Sequence, residues 1–388
     1  MNSISYTILN IIIYNILSLP VVLRLLFYKR LNGDDTNSTV IYKLFHHKSW
    51  EGIRIGFLMV WILLFYFCVE ARYSGDWIHY KEHVETISSG FLAFSGIEPI
   101  YKGLILLLDG NYIAFRMVVW GFALFFLYKL LKRLEINNNI SLSIFVIWGL
   151  YLYAYPRVSL GLSLFFYGYS ILITIKDGEN VFMKNFKGIF LILFSCLFHK
   201  SMLVLLLILP FSFITFTRRR IGLLLVSFVF VAIIVHFFLG MITTNFGEVD
   251  GAGMEYLSGD VASGSSLGYR ISAIFHRAPI FIMILSFVYN YSIRGYYRYL
   301  SDVTQRFYSF SLCIVTLALV FNVIPLPSNV LYYRVLYMIF IPLVCLMYKS
   351  LTYTISNRAI YYCTLLAYLG NNYSLFYDLL GHINGSIQ

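Results

Sequence analysis

The sequence predicts an all-α, polytopic integral membrane fold, and three observations carry that expectation. The 388 residues are 60% hydrophobic and only 12% charged, with a strongly positive mean hydropathy, well outside the ordinary soluble range. Apolar runs of about 20 residues, enough to cross a hydrocarbon core of roughly 30 Å as a helix, recur from one end of the chain to the other. The runs are unbroken and lack the period-two alternation of barrel strands, so helices, which satisfy their own backbone polar groups, are the expected solution.

Taken in order, the expected spans are about 4 to 27, 52 to 70, 111 to 130, 140 to 156, 158 to 175, 220 to 240, 270 to 290, 307 to 325, 330 to 348 and 358 to 377, roughly 10 to 12 membrane segments with the hairpin described next. The first lacks a basic leader and a small-residue cleavage site, and reads as a retained span. The apolar segment from 188 to 216 is long for one crossing and is interrupted by FHKS, Phe198 to Ser201. Lys184 and Lys187 precede it and Arg218, Arg219 and Arg220 follow it. Basic residues on both sides predict a short hairpin with His199 at its tip on the far side, each arm too short to span. Half-length arms are tolerable only where the tip faces water or protein.

With that hairpin, 20 of the 29 Lys and Arg residues fall in loops assigned to the cytoplasm (24–54, 129–135, 176–187, 218–220, 291–306 and 349–358), which is the positive-inside bias. The non-cytoplasmic side then receives loops at 71–110 and 241–269. The second is acidic and rich in Gly and Ser, without Lys or Arg from Thr243 to Gly268. One membrane domain, 1–388, is expected, without a soluble domain or internal repeat. The net charge of +11 is scattered through short loops, which reads as topology and not as a nucleic-acid surface. The five cysteines lie in apolar runs without CxxC spacing, against both a disulfide framework and a zinc site.

Nine basic residues remain outside the cytoplasmic loops: Arg72, Lys81, Lys102, Arg116, Arg157, Lys200, Arg270, Arg277 and Arg334. Charge at membrane depth is expensive and marks function by default. Arg157 occupies an outer turn, Arg270 and Arg277 are two helical turns apart on one face, and Arg334 enters from an outer helix end. With His199 they converge on an outward cavity, where a planar guanidinium fork matches phosphate oxygens. The competing expectation is that these side chains snorkel to headgroups and pair with Asp76, Glu98 or Asp109 as structural salt bridges.

The sequence HYKEH (His79 to His83) fits the H-x-x-E-H pattern of inverzincin proteases. Such chemistry needs a third protein ligand in a closed scaffold, which a loop of this size does not offer. An interfacial helix with its histidines on the wet face, carrying Trp77 and Tyr80 at headgroup level, accounts better for the stretch. The following Pro99 to Leu108 is too short to cross.

The motifs RYSGDWIHY, IEPIYKGL, RVSLGLSLFF, LFHKSMLVLLLI and YYRVLYMIFIPL follow one another between about residues 70 and 350. In order and spacing the chain resembles the EpsG-type branch of the Wzy polysaccharide and O-antigen polymerases. It departs from the family pattern at Trp77, where Tyr is common, and at Val158, where Gln is common, leaving any side-chain role there in doubt. The resemblance implies a GT-C-like glycosyltransferase of the bacterial inner membrane, with its active site facing the periplasm. It implies a glycan on undecaprenyl diphosphate as donor and a repeat unit on the same lipid as acceptor, with a chain-length regulator as a candidate protein partner. In that reading Arg157, Arg270 and Arg334 hold the diphosphate, with Arg277 and Arg72 as further candidates, and His199 is the general base, with Asp76 and Glu98 as alternatives. His199 could instead cap the hairpin, and Glu98, preceding Pro99, could cap the helix that begins there. No cofactor and no metal is expected, since no carboxylate pair at metal-binding spacing occurs at the outer face. A flippase of lipid-linked sugars and an O-antigen ligase are the competing functions; outward-biased arginines without symmetry between halves favour an enzyme over a flippase.

The topology is directly testable. Cysteines introduced at Ser263 and Asn180 should differ in intact cells with a permeabilised outer membrane: only Ser263→Cys should react with an impermeant thiol reagent.

Overall fold

The computed structural model describes parts of 5–23, then 76–88, 98–136, 147–148, 156–174, 178–245, 267–323, 335–351 and 357–383. Among these residues the secondary structure is helical without a strand. In chain order the helices are α1 (Asp76–Ser88), α2 (Pro99–Leu107), α3 (Tyr112–Arg133), α4 (Pro156–Ile173), α5 (Val181–Phe198), α6 (Met202–Ile208), α7 (Arg218–Asn245), α8 (Leu267–Phe287), α9 (Asp302–Val323), α10 (Phe340–Leu351) and α11 (Asn357–Ile383). Tyr112–Arg133, Val181–Phe198 and Asp302–Val320 are long and apolar enough to cross a membrane, and shorter apolar helices accompany them. The chain is a polytopic helical membrane protein.

It divides into two compact units, one of Met1–Leu203 with Met347–Gln388 and the other of Val204–Leu346. In the first, α4 packs against both α3 and α5. Leu160, Leu162, Leu164, Phe165, Phe166 and Tyr169 are all buried, so α4 is apolar around its circumference because neighbours surround it. On α3 the buried side chains Phe115, Val119, Ala123, Leu127 and Leu130 recur at three- and four-residue spacing, while Ile113, Met117, Phe122 and Phe125 are exposed, as on a face turned to lipid. Asn111 starts α3 by accepting the Ala114 N–H at 3.0 Å, and Asn180 starts α5 by accepting from Phe182 and Met183, the side-chain capping expected of Asn.

Where α4 and α5 cross, two glycines remove the side chains that would hold the backbones apart. A Cβ on Gly168 would lie 2.8 Å from the Gly188 carbonyl oxygen, and one on Gly188 would lie 3.0 Å from the Gly168 carbonyl oxygen. Toward the C-terminal end of α4, the Lys184 ammonium donates to the carbonyls of Leu172 (3.4 Å) and Thr174 (3.3 Å), groups a helix end leaves unsatisfied. Arg133 forks onto Glu179 at 2.7 and 2.6 Å and also donates to Thr174 through its hydroxyl and carbonyl. The two residues that the positive-inside pattern counts as loop charges are thus partners in a three-helix clamp. Elsewhere in this unit α11 meets the N-terminal helix through polar contacts: Asn15 donates to Asn372 at 2.7 Å, and Asn371 donates to the Tyr14 hydroxyl and the Ile147 carbonyl, each at 2.7 Å.

In the second unit α8 contains Pro279 and continues into a π-helical turn, Val288–Ile293. Gly295, at φ +80°, then reverses the chain into the 3-10 turn Tyr296–Tyr299, a backbone region glycine enters without a Cβ penalty. The segment before α7 is sewn to this end by hydrogen bonds from Ser292 to the Phe216 carbonyl (2.6 Å) and from Ser309 to the Ile214 carbonyl (2.8 Å).

The helix borders revise several expectations. The break does fall at His199–Ser201, but the arm before it is the 18-residue α5, which starts at Val181 and is long enough to cross. Reading its start at 188 discounted Phe182, Met183 and Phe186, which are apolar and exposed, because Lys184 and Lys187 lie among them. Helices occupy both ends of the stretch expected as a loop at 241–269: α7 runs to Asn245 and α8 begins at Leu267. The span expected at 52–70 lies outside the described residues.

The glycine crossing gives a stability test. Gly168→Ala should lower the thermal stability of the purified protein by about 1–3 kcal/mol, the range for overpacking a tight contact. Gly103→Ala, where a Cβ meets nothing within 4 Å, should leave stability unchanged or raise it.

Candidate functional site

One buried carboxylate organises the candidate site, which lies within the first unit. Glu98 is the residue before Pro99 at the start of α2, with extended backbone, and its side chain makes no cap hydrogen bond to its own helix. Pro99 occupies the first helical position, where its missing N–H costs nothing. The carboxylate reaches across the fold instead. Its Oε2 accepts from Arg157 Nη1 at 3.0 Å, and its Oε1 lies 3.0 Å from His199 Nδ1 and accepts the Lys200 backbone N–H at 3.2 Å.

Each partner is delivered by a helix end. Arg157 is in the first turn of α4 and His199 directly follows α5, so the antiparallel register that brings Gly168 to Gly188 also brings these residues to the same end. The His199 backbone is extended (φ −150°, ψ 119°), and its N–H still bonds to Ser195. Gly161, one turn into α4, makes room for the break: a Cβ there would lie 3.2 Å from Met202 Cγ and 3.5 Å from His199 Cβ. The Arg157 guanidinium lies 4.7 Å from the centroid of Tyr101, which is buried edge-on to Phe115 at 5.1 Å and to Phe198 at 6.4 Å. An arginine over an aromatic face gains a cation–π attraction in addition to its ion pair.

Glu98 is 4% exposed and lies in the segment before the short α2, outside the spanning helices. Burial alone pushes its pKa up, but the hydrogen bond from His199, the positive charge of Arg157 and that of His199 outweigh it, and the carboxyl titrates at about 2 in place of the ordinary 4.5. The group is therefore ionised at every physiological pH. It cannot serve as an acid there and is a weak base. When His199 is neutral, a carboxylate on Nδ1 favours the tautomer that donates from Nδ1, which puts the lone pair on Nε2. The arrangement can hold an oriented imidazole beside a fixed guanidinium, the pairing needed to take a proton and to stabilise negative charge.

Of the residues singled out from the sequence, His199, Glu98 and Arg157 come together. Asp76 opens α1 and Arg270 is in α8, but the side chains of both lie outside the described residues. Arg277 is half-buried on α8 in the second unit. Arg72 and Arg334 lie outside the described residues altogether. The HYKEH stretch is on α1, where Glu82 is exposed and Lys81 meets Glu85 at 4.0 Å. Sequence reasoning did not single out Tyr101, the Lys200 N–H or Gly161. Tyr101 follows Glu98 by three residues, in the first turn of α2, and that proximity was the available signal.

The ion pair implies an acid-sensitive fold. Because the folded-state pKa of Glu98 is depressed, its contribution, about 3 kcal/mol from the size of the shift, is fully present above about pH 4.5 and is lost as pH falls toward about 2. Wild-type protein should lose stability through that window in acid-unfolding titrations. Glu98→Gln should be less stable at pH 7 and lack that component, and an identical acid profile in the variant would exclude it.

The family model for EpsG matches residues 53–380. No curated protein and no solved structure matches the chain. The match covers most of the sequence, including the segments that supply Glu98, Arg157 and His199, and on that ground the chain belongs to the EpsG family, the family of Wzy-type polysaccharide polymerases.

Proposed function

We propose that the protein is an inner-membrane glycosyltransferase that polymerises oligosaccharide repeat units carried on undecaprenyl diphosphate, working at the periplasmic face. The observation that carries this reading is the shared Glu98 carboxylate, which holds a guanidinium and an imidazole at one end of the α3–α4–α5 layer. In the proposed step a hydroxyl oxygen of the acceptor sugar attacks the anomeric carbon of the donor. The new glycosidic C–O bond forms as the bond to the lipid diphosphate breaks with inversion, and the diphosphate leaves with the electron pair. The hydroxyl proton passes to His199 Nε2, and the imidazolium that results is stabilised by Glu98 on the other nitrogen.

Arg157 is assigned to the negative charge that develops on the leaving diphosphate. A guanidinium fixed before substrate arrives stabilises such charge without reorganising at the moment of reaction. Glu98 is assigned a positioning role, because its low pKa unsuits it to proton transfer. Arg270, Arg334, Arg277 and Arg72 remain proposed as further diphosphate contacts, and Asp76 as an alternative base.

The test is polymerisation of a synthetic undecaprenyl-diphosphate repeat unit by purified protein, read as a ladder on a gel. His199→Ala should reduce the rate by about 10²–10⁴-fold, and Arg157→Ala by a similar factor, with expression retained. EDTA should leave wild-type activity intact. Glu98→Gln should lower kcat more than it raises KM and move the acid limb of the pH–rate profile. Persistent ladders in both the Arg157 and His199 variants would remove these assignments.

A further inference from the structure

A concentration of arginine lies in the second unit, on residues that the proposed reaction does not use. Arg218, Arg219 and Arg220 occupy the first turn of α7, Arg294 and Arg298 flank the turn at Gly295, and Arg306 is in the second turn of α9. Hydrogen bonds bind these segments into one end. Arg220 donates to the Thr215 carbonyl at 3.0 Å, Gln305 bonds the Thr215 hydroxyl, and Ser292 links the Phe216 carbonyl to the Tyr308 hydroxyl.

This end is strongly cationic and carries little internal compensation. Asp302 is its sole acidic residue among the described positions, and among them no carboxylate comes within salt-bridge distance of the six arginines. Three of the charges sit at a helix N-terminus, where the helix dipole is already positive and basic side chains are disfavoured. Such an arrangement is stable when anions outside the protein supply the compensation.

The neighbouring side chains indicate what those anions are. Tyrosines interleave with the arginines: Arg294 lies 4.7 Å from the Tyr289 ring, Arg298 lies 5.8 Å from the Tyr297 ring, and Tyr299 is 72% exposed. Immediately beyond the three arginines, α7 exposes Leu223, Val226 and Phe230 at 66%, 68% and 64%. Exposed apolar turns directly against an exposed basic turn place the arginines at the boundary between hydrocarbon and water, where tyrosine also concentrates. An acidic protein segment would not require that apolar continuation.

We infer that this end of the second unit is a binding site for anionic phospholipid headgroups, formed by Arg218, Arg219, Arg220, Arg294 and Arg298 with the tyrosines between them. The guanidinium forks engage headgroup phosphates, and each further charge near an anionic leaflet strengthens the attraction. The positive-inside pattern assigns these arginine-bearing loops to the cytoplasm, and the inference uses none of the residues of the proposed reaction.

The experiment is lipid retention by full-length protein in mild detergent, measured by native mass spectrometry with added phosphatidylglycerol or phosphatidylcholine. The wild type should retain phosphatidylglycerol at least about tenfold more strongly. That preference should fall about tenfold in the triple variant Arg218→Gln/Arg219→Gln/Arg220→Gln, and measurably in Arg294→Gln/Arg298→Gln, each checked for helix content by circular dichroism. The two variants alter different segments, so either reads the site if the other fails to fold, and Lys81→Gln on α1 should change nothing. Inorganic phosphate at matched concentration should not displace the lipid. Equal retention of both lipids, an unchanged preference in the folded variants, or displacement by inorganic phosphate overturns the proposal. So does capture of a polyglutamate peptide through the same arginines without any lipid preference, which would assign the surface to an acidic protein.

Discussion

A carboxylate buried in a membrane protein has to be shared, and the sharing of Glu98 constrains the first unit by tying three of its segments together. Removing an ionised carboxylate from water costs several kcal/mol, which only close opposite charge and hydrogen-bond donors offset. Glu98 obtains both from chain segments 59 and about 100 residues distant. The start of α2, the first turn of α4 and the break after α5 must therefore meet. The sequence between them looks arranged around that meeting: Pro99 at the first position of α2, Gly161 where α4 passes the break, and Tyr101 stacked on the bound guanidinium.

The opposite end of the same helices repeats the logic with different residues. Arg133 and Glu179 form a fork that also ties in Thr174, and Lys184 closes the C-terminal carbonyls of α4. Between the two polar ends, apolar contacts and the glycine-on-glycine crossing are joined by small buried serines such as Ser163, Ser170 and Ser195. Helices in lipid gain nothing by hiding apolar surface from water, so close packing and polar contacts have to supply their association. The unit follows that rule, with a tight crossing in the middle and ion pairs at each end. A buried pair of this kind is modest evidence for net stability, but loss of one partner strands the other. Its main effect is to fix register, and register is what puts Arg157 and His199 at one end.

Much of the helix pattern was legible in the residues, because hydrocarbon imposes length and composition on every span. The α3 span is bounded by Asn111 and by Lys132 and Arg133, ordinary helix signals, and its borders came within a few residues. The start of α5 was not legible, since Lys184 and Lys187 resemble loop charges until Lys184 is seen to satisfy carbonyls of α4. At the site, depth and residue type pointed to His199, Glu98 and Arg157 one by one. Convergence of outer arginines with His199, and a pairing with Glu98, were both among the expectations, but one carboxylate shared by Arg157 and His199 was hidden, because an ion pair across 59 residues leaves no periodic trace. Local competition misled as well: a Glu before Pro suggests a helix cap, yet Glu98 gives its oxygens to distant partners.

The net charge of +11 therefore divides into populations that composition cannot separate. Arg133 and Arg157 are held by carboxylates and ring faces, so their positions are set before any ligand arrives. Arg218, Arg219, Arg220, Arg294 and Arg298 are exposed beside tyrosines and apolar turns, and their charge is balanced from outside. A fixed guanidinium suits transient charge in a reaction, because its orientation costs nothing when that charge develops. An exposed set suits a fluid layer of headgroups, where many interchangeable contacts add and none needs exact placement. The same residue type thus occurs in two electrostatic settings, and what separates them is whether a carboxylate has already claimed the side chain.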